Sequence, residues 1–228
     1  MTQPRIIVYG FPDTPYTQKV LRALRFKDLD FELLEPTRRE DIRRWSPETG
    51  LLPVIEIGDE RIGDSDAILD VLDARFPEPP LLSKDLKIAR EQRRLATWVG
   101  ETFRFYMIRW VAQRLGREEV AEATGPDGKM LGPLARMGLI GPDGRIVREA
   151  FDTSVGGLGP EFERRLDDLV GMLGDRQWFH GDRISRADLA VASALDGMYT
   201  DRYPGGQALL QRYPTLLRHY ERVASLTD

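Results

Sequence analysis

The sequence predicts a small α/β sheet unit followed by an all-α helical bundle. Three observations predict this. Strand signals are confined to the part of the chain before residue 76. A proline-rich stretch, FPEPPLLSKD at 76–85, then interrupts the pattern as a linker would. Beyond it, apolar residues recur at three- and four-residue steps, the period of helices with one buried face.

Each element follows from local chemistry. RIIVY at 5–9 is β-branched and aromatic, and Gly10 and Pro12 bound it, which predicts a buried strand. Residues 15–26 place Val20, Leu21 and Leu24 at helical spacing. DFELLEP at 30–36 predicts a second strand, and strand, helix and strand together suggest a βαβ unit with a parallel pair. LPVIEIGDERIGDS at 52–65 reads as a hairpin turning at Gly58-Asp59. SDAILDVLDARF at 65–76 reads as a helix with Ser65 as its N-cap and Ala67, Ile68, Val71 and Leu72 facing inward. After the linker, 88–115 predicts one long helix with an inward stripe of Leu95, Trp98, Val99, Thr102, Tyr106 and Trp110. Further helices are predicted at 160–173, 185–197 and 214–226. The resulting division is a sheet domain at 1–79, a linker at 80–86 and a helical domain at 87–228.

Composition narrows the chemistry. The chain has 228 residues, enough for two modest domains, and an ordinary 41% hydrophobic content. Its net charge is −4 with no dominant basic stripe, which argues against a nucleic-acid partner. It has no cysteine, so disulfides, thiolate metal sites and catalysis by a protein sulfur are excluded. Two histidines and no convergent carboxylate set give no expected metal site. There is no apolar run of about 18 residues and no signal-peptide pattern, so a soluble cytoplasmic protein without a membrane span is expected.

Several segments have a structural explanation of their own. Ser185-Arg186-Ala187-Asp188 is an S-x-x-D capping box, flanked by Ile184 and Leu189 as a hydrophobic staple. His180 and His219 read as packed residues without a catalytic task. Residues 116–159 form a glycine-rich insertion that repeats a tetrad, GPDGK at 125–129 and GPDGR at 141–145. Two surface turns explain the repeat, and a lid over a substrate pocket is the sharper alternative.

Three runs of sequence resemble the glutathione transferase superfamily, in its cytosolic, bacterial-type form. They are LLPVIEIGDERIGDSDAILDVL, GDRISRADLAVASAL and YPTLLRHYERV at 213–223. Their order and spacing cover nearly the whole chain apart from 116–159. The resemblance implies a thioredoxin-like N-terminal domain that binds glutathione and an all-helical C-terminal domain that receives a second substrate. It implies an enzyme that ionises glutathione as co-substrate and conjugates it to a small hydrophobic electrophile, or uses it for reduction or isomerisation, in detoxification. A homodimer is implied as well. The alternative is a catalytically silent binding or scaffold module on the same fold.

The resemblance also assigns residues. It gives Pro53 a cis bond that would turn the Leu52 backbone outward to pair with an extended peptide; a plain trans proline opening a strand explains the same residue. It puts the γ-glutamyl carboxylate of glutathione at Ser65 and the amino group at Asp64, although a simple helix cap accounts for both. Arg38, with Arg39, is placed near the glycine carboxylate, where a solvated charge cluster would also fit. Thr14-Pro15-Tyr16-Thr17 stands where glutaredoxins carry C-P-Y-C. Thr14 falls where serine or cysteine activates the thiol in many members, and it is equally a good N-cap before a proline. Tyr9, at the end of the first strand, is the rival catalytic hydroxyl. The energetics suit a hydroxyl at a helix mouth. Half-ionising a thiol of pKa about 8.5 at neutral pH needs about 2 kcal/mol. A helix N-terminus supplies about 0.3–1 kcal/mol, and a hydrogen bond to the charged sulfur adds about 1.5–3 kcal/mol. Phe11, Tyr106, Met107 and Trp110 are the candidates for the electrophile pocket, with bundle core as the other explanation.

Overall fold

A computed structural model describes residues 4–114 and 158–228 of the chain. The glycine-rich insertion, except for its last two residues, lies outside the described residues. The sheet unit contains β1 (Ile6–Tyr9), α1 (Pro15–Phe26), β2 (Glu32–Leu34), α2 (Arg39–Trp45), β3 (Val54–Ile57), β4 (Glu60–Gly63) and α3 (Ser65–Arg75). The strands lie in the order β2-β1-β3-β4. β1 and β2 are parallel through the α1 crossover, and β1–β3 and β3–β4 are antiparallel. All four residues of β1 are buried, as a central strand covered on both faces requires. Ile6 and Val8 join the main core with α1 and α3. Ile7 and Tyr9 point the other way, into a smaller cluster with Trp45 of α2 and Val54.

The helical unit contains α4 (Leu86–Trp98), a π turn (Val99–Phe103), α5 (Arg104–Ala112), α6 (Leu158–Leu173), α7 (Arg186–Tyr199), α8 (Gly206–Gln211) and α9 (Pro214–Thr227). α7 is the central helix, buried at every position from Arg186 to Met198, and it packs against α1, α4, α8 and α9. Its entry is the expected capping box. The Asp188 carboxylate accepts from the Ser185 amide and hydroxyl, both at 2.8 Å, and Ile184 and Leu189 are buried in the core. Asp188 also accepts from the Phe179 amide and meets His219 Nε2 at 2.9 Å, so His219 is a buried structural residue.

Two expectations are corrected here. α2 has no counterpart in the predicted elements; its start is fixed by Asp41, whose carboxylate accepts from the Thr37 and Arg38 amides at 3.0 Å each. The predicted helix at 88–115 is not continuous α-helix. The π turn adds one residue to the helical phase. The inward stripe therefore runs Leu95, Val99, Phe103, Met107 and Trp110, while Thr102 and Tyr106 are only half-buried.

The two units are joined by charge as well as by apolar packing. Lys27 donates to Asp73 and to the carbonyls of Phe76 and Pro79, and so clasps the linker. Leu81 is buried, and its carbonyl accepts from the Arg186 amide at 2.8 Å. Arg22, buried on α1, reaches Asp196 of α7 at 3.1 Å and Thr227 of α9 at 2.7 Å. Arg186 reaches back to Asp66 and Asp70 of α3 at 2.8 and 2.6 Å.

Candidate functional site

The turn between β1 and α1 is built tightly. Gly10 donates its amide to Leu34 at 3.1 Å. A Cβ on Gly10 would lie 2.6 Å from Thr17 Oγ1, so only glycine passes this buried threonine without displacement. Thr14 occupies the N-cap position of α1 in extended backbone, with Pro15 as the first helical residue. Its side chain does not cap the helix, contrary to the threonine-cap reading. Both the Thr14 amide and its hydroxyl donate to the Phe11 carbonyl, at 3.1 and 3.0 Å. Thr14 Oγ1 also sits 2.9 Å from Thr17 Oγ1. The hydroxyl is satisfied by the turn itself, which removes its need for the helix amides. Phe11 is buried beneath this turn. Arg202 pins the turn from the helical unit by donating to the Asp13 carbonyl at 2.7 Å.

Tyr9 lies on the opposite face of the sheet from α1. Its ring packs on Trp45 with centroids 4.8 Å apart, and its hydroxyl donates to Glu56 at 3.2 Å. Burial, followed by the Glu56 carboxylate, pushes the phenol above its ordinary pKa of 10.0. A hydroxyl held on a carboxylate and made less acidic is poorly prepared to stabilise a thiolate. Leu52 packs into this same cluster, and the Leu52–Pro53 peptide bond is cis.

At the mouth of α3 the cap is Asp64, which corrects the expectation of Ser65. Asp64 adopts φ +65°, and its carboxylate accepts from the Asp66 and Ala67 amides at 2.9 and 3.0 Å. Ser65 is the first helical residue and is buried. Asp64 is exposed, so its carboxylate sits at a solvent-facing, positively polarised helix end. Arg38, also exposed, stands at the N-cap of α2.

A narrow cleft opens between the two units, beside the start of α1. Pro15, Tyr16 and Lys19 form its α1 wall. Val99 and Gly100 of the π turn, with Arg104 and Met107 of α5, form the facing wall, and alanines of α4 and α7 close the back. Tyr16 spans the gap by donating its hydroxyl to the Gly100 carbonyl at 2.7 Å. Lys19 is 4% exposed and pairs with Asp66 at 3.0 Å. Burial pulls the Lys19 ammonium below its ordinary value, an effect Asp66 opposes. Burial would raise Asp66, but Lys19 and Arg186 outweigh it and hold that carboxyl below its ordinary value.

Of the four pocket candidates, Met107 lines this cleft. Trp110 is fully buried against Phe162, at 5.3 Å between centroids. Tyr106 is half-buried beside Phe105 and Arg165. The extra residue of the π turn takes Tyr106 out of the buried stripe, whereas Trp110 stays in it as bundle core. Tyr16, Lys19 and Arg104 escaped the sequence reading as site residues. Tyr16 stood in view within the T-P-Y-T motif. Arg104 carried only the weaker signal of a cation between two apolar positions.

A mixed four-stranded sheet with helices on both faces, joined to a bundle through a cleft at the start of α1, defines a two-part transferase fold. The chain belongs to the glutathione S-transferase superfamily. Residues 8–80 match the family model for the glutathione S-transferase N-terminal domain, and residues 155–228 match that for the C-terminal domain. Among similar proteins, the probable glutathione S-transferase DHAR2, chloroplastic, of Oryza sativa is 30% identical over 91 residues, 39% of this chain. The match spans 33% of that relative's length. FtsZ-localized protein A of Caulobacter vibrioides is 28% identical over 200 residues, covering 82% of this chain and 75% of that protein. A glutathione S-transferase of Methylobacillus flagellatus, solved with glutathione bound, superposes with a TM-score of 0.67 at 21% identity, covering 95% of this chain and 93% of the other. That likeness is one of fold.

Proposed function

We propose that this chain is a glutathione-dependent transferase that ionises glutathione at the start of α1 and delivers it to a small electrophile held in the cleft. The observation that carries the reading is the position of Thr14, whose hydroxyl stands at the N-terminus of α1 next to Pro15 and Tyr16 of the cleft wall. The hydroxyl rests on the Phe11 carbonyl. Turning that one proton toward a sulfur at the helix mouth supplies a charge-assisted bond where the helix already favours an anion. Tyr9 is the weaker candidate because its hydroxyl is committed to Glu56 on the far face of the sheet. In this reading Leu52 and Pro53 pair with the peptide backbone of glutathione. Ser65 and Asp64 meet its γ-glutamyl end, and Arg38 its glycine carboxylate. No metal takes part. A homodimer, a cytoplasmic location and a role in detoxification complete the proposal on family grounds.

The test is a pH titration of the glutathione thiol, bound to the protein, by thiolate ultraviolet absorbance, together with turnover of an aryl halide. The bound thiol is expected to ionise below its free value. Thr14→Ala is expected to raise it again and slow the chemical step about 10- to 100-fold, the worth of one hydrogen bond to a charged sulfur. Tyr9→Phe is expected to leave the titration in place. Undiminished turnover in Thr14→Ala would remove Thr14 from the mechanism.

A second reading is favoured by the likeness to FtsZ-localized protein A over most of the chain. On that reading the fold serves as a catalytically silent binding module. Tight glutathione binding with an unshifted thiol would select it.

A further inference from the structure

Among the described residues, the cleft contains one cation that no carboxylate pairs with. Lys19 is paired with Asp66, so its charge is balanced. Arg104 is half-buried and lines the cleft, yet among the described residues its guanidinium has neither a hydrogen-bond nor an ion-pair partner. It lies over the Tyr16 ring, 5.3 Å from the guanidinium carbon to the centroid. The Tyr16 hydroxyl donates to the Gly100 carbonyl, and Arg104 meets the face of the ring without a hydrogen bond to that hydroxyl. Glu101, one turn earlier, is exposed and lies outside ion-pair distance of Arg104 among the described residues. Elsewhere the buried and half-buried cations facing this region are matched: Arg186 holds Asp66 and Asp70, and Arg202 holds Asp196.

We propose that the electrophile taken by this cleft is an acid: a small apolar body carrying a carboxylate that Arg104 binds. The inference rests on the transferase reading above and names its substrate class. The apolar body follows from the walls of Val99, Met107 and the back alanines. The acid follows from Arg104. A planar guanidinium with free donors suits a carboxylate, which it can meet with two parallel hydrogen bonds. An uncharged ligand would desolvate the same guanidinium without replacing its water, which costs affinity. The cleft therefore selects for the anion by attraction and against the neutral analogue by desolvation.

The test has a binding arm and a turnover arm, both on the full chain. In the binding arm, dinitrobenzoate and dinitrobenzene, neither carrying a leaving halide, are titrated by calorimetry with glutathione present. The acid is expected to bind about 10- to 100-fold tighter than the neutral ring. In Arg104→Met that ratio is expected to collapse toward one, and in Arg104→Lys to recover in part, since lysine keeps the charge and loses the fork. Equal affinity for the two compounds in the unsubstituted protein, no binding of the acid, or a ratio that survives Arg104→Met would each overturn the proposal. In the turnover arm, chlorodinitrobenzoate replaces the inert acid. The glutathione thiolate attacks the halide-bearing ring carbon, a C–S bond forms, the C–Cl bond breaks and chloride leaves, while the thiol proton has passed to solvent. If the acid binds through Arg104 but no conjugate forms, the transferase reading fails and the acid-binding cleft stands. If conjugates form without preference for the acid, the transferase reading stands and this proposal falls.

Discussion

Asp64 shows how a single residue sets the character of the helix mouth. Its carboxylate takes two amides at the start of α3, from a left-handed backbone at φ +65° that disfavours most side chains. Replacing it by alanine removes the cap and leaves the strain, a cost of about 1–2 kcal/mol. Asparagine caps as well and tolerates the backbone, so Asp64→Asn is expected to lose less than half as much. Urea unfolding of the two variants checks both values, and equal losses would contradict the role given to the cap. In the sequence, Asp64-Ser65 was legible as a helix start but not as to which residue caps. Both are good cap residues, and the choice turns on a backbone angle set by the exit from β4, which no local pattern encodes. The same holds for Thr14. Its place before Pro15 was readable, but the turn of its hydroxyl toward Phe11 depends on how the chain doubles back from β1.

At the scale of elements, the π turn decides what the cleft is lined with. Its Gly100 carbonyl accepts from Tyr16, and it advances the buried stripe from Thr102 and Tyr106 to Phe103 and Met107. Tyr16→Phe removes the hydroxyl that, among the described residues, bridges α1 to this turn. Its expected cost is about 1–2 kcal/mol, because the Gly100 carbonyl loses its partner. Amide hydrogen exchange should quicken at 99–103 more than elsewhere in the helical unit. Uniform exchange throughout that unit would show that the turn does not depend on Tyr16. The strands, α1, α3, α7 and α9 were legible because in each the apolar period and the flanking turn or start residues pointed to the same element, even where the capping residue differed. The π turn was not, because a helix with one added residue has the composition of an ordinary helix. α2 was missed for another reason: its run of charges, REDIRR, hides a face of only Ile42 and Trp45.

Across the whole molecule, the order of sheet unit, linker and bundle could be read from the sequence, since each part carries its own period. The ties between them could not. Arg186 and Asp66 are separated by 120 residues, and Arg22 and Asp196 by 174. Asp66 is the common partner of Lys19 and Arg186, both almost fully buried. Asp66→Asn leaves two buried cations short of charge. It is expected to cost about 2–3 kcal/mol, less than a sealed pair because Asp66 itself is part-exposed and Arg186 keeps Asp70. The acid limb of stability should change with it. The Asp66 carboxyl is held below its ordinary value of 3.8 in the fold. Its contribution is therefore complete above that value and is lost as pH falls through the lower, folded one. Denaturant midpoints followed from neutral to acid pH should fall less steeply in Asp66→Asn than in the unsubstituted chain. Parallel curves would exclude Asp66 as a source of acid lability.

The reach of Arg22 into both α7 and α9 has a bearing on how such chains can be recombined. Its guanidinium sits on the sheet side, whereas Asp196, Thr227 and the Asp228 side chain that receive it all come from the far half. A hybrid splicing the front of this chain onto the bundle of a relative inherits an orphaned cation in an apolar seam unless those acceptors travel with it. The two halves have to be exchanged as a matched set, and the boundary that matters for such grafts is drawn by these long-range partners, with the proline-rich linker only the place where the cut is made.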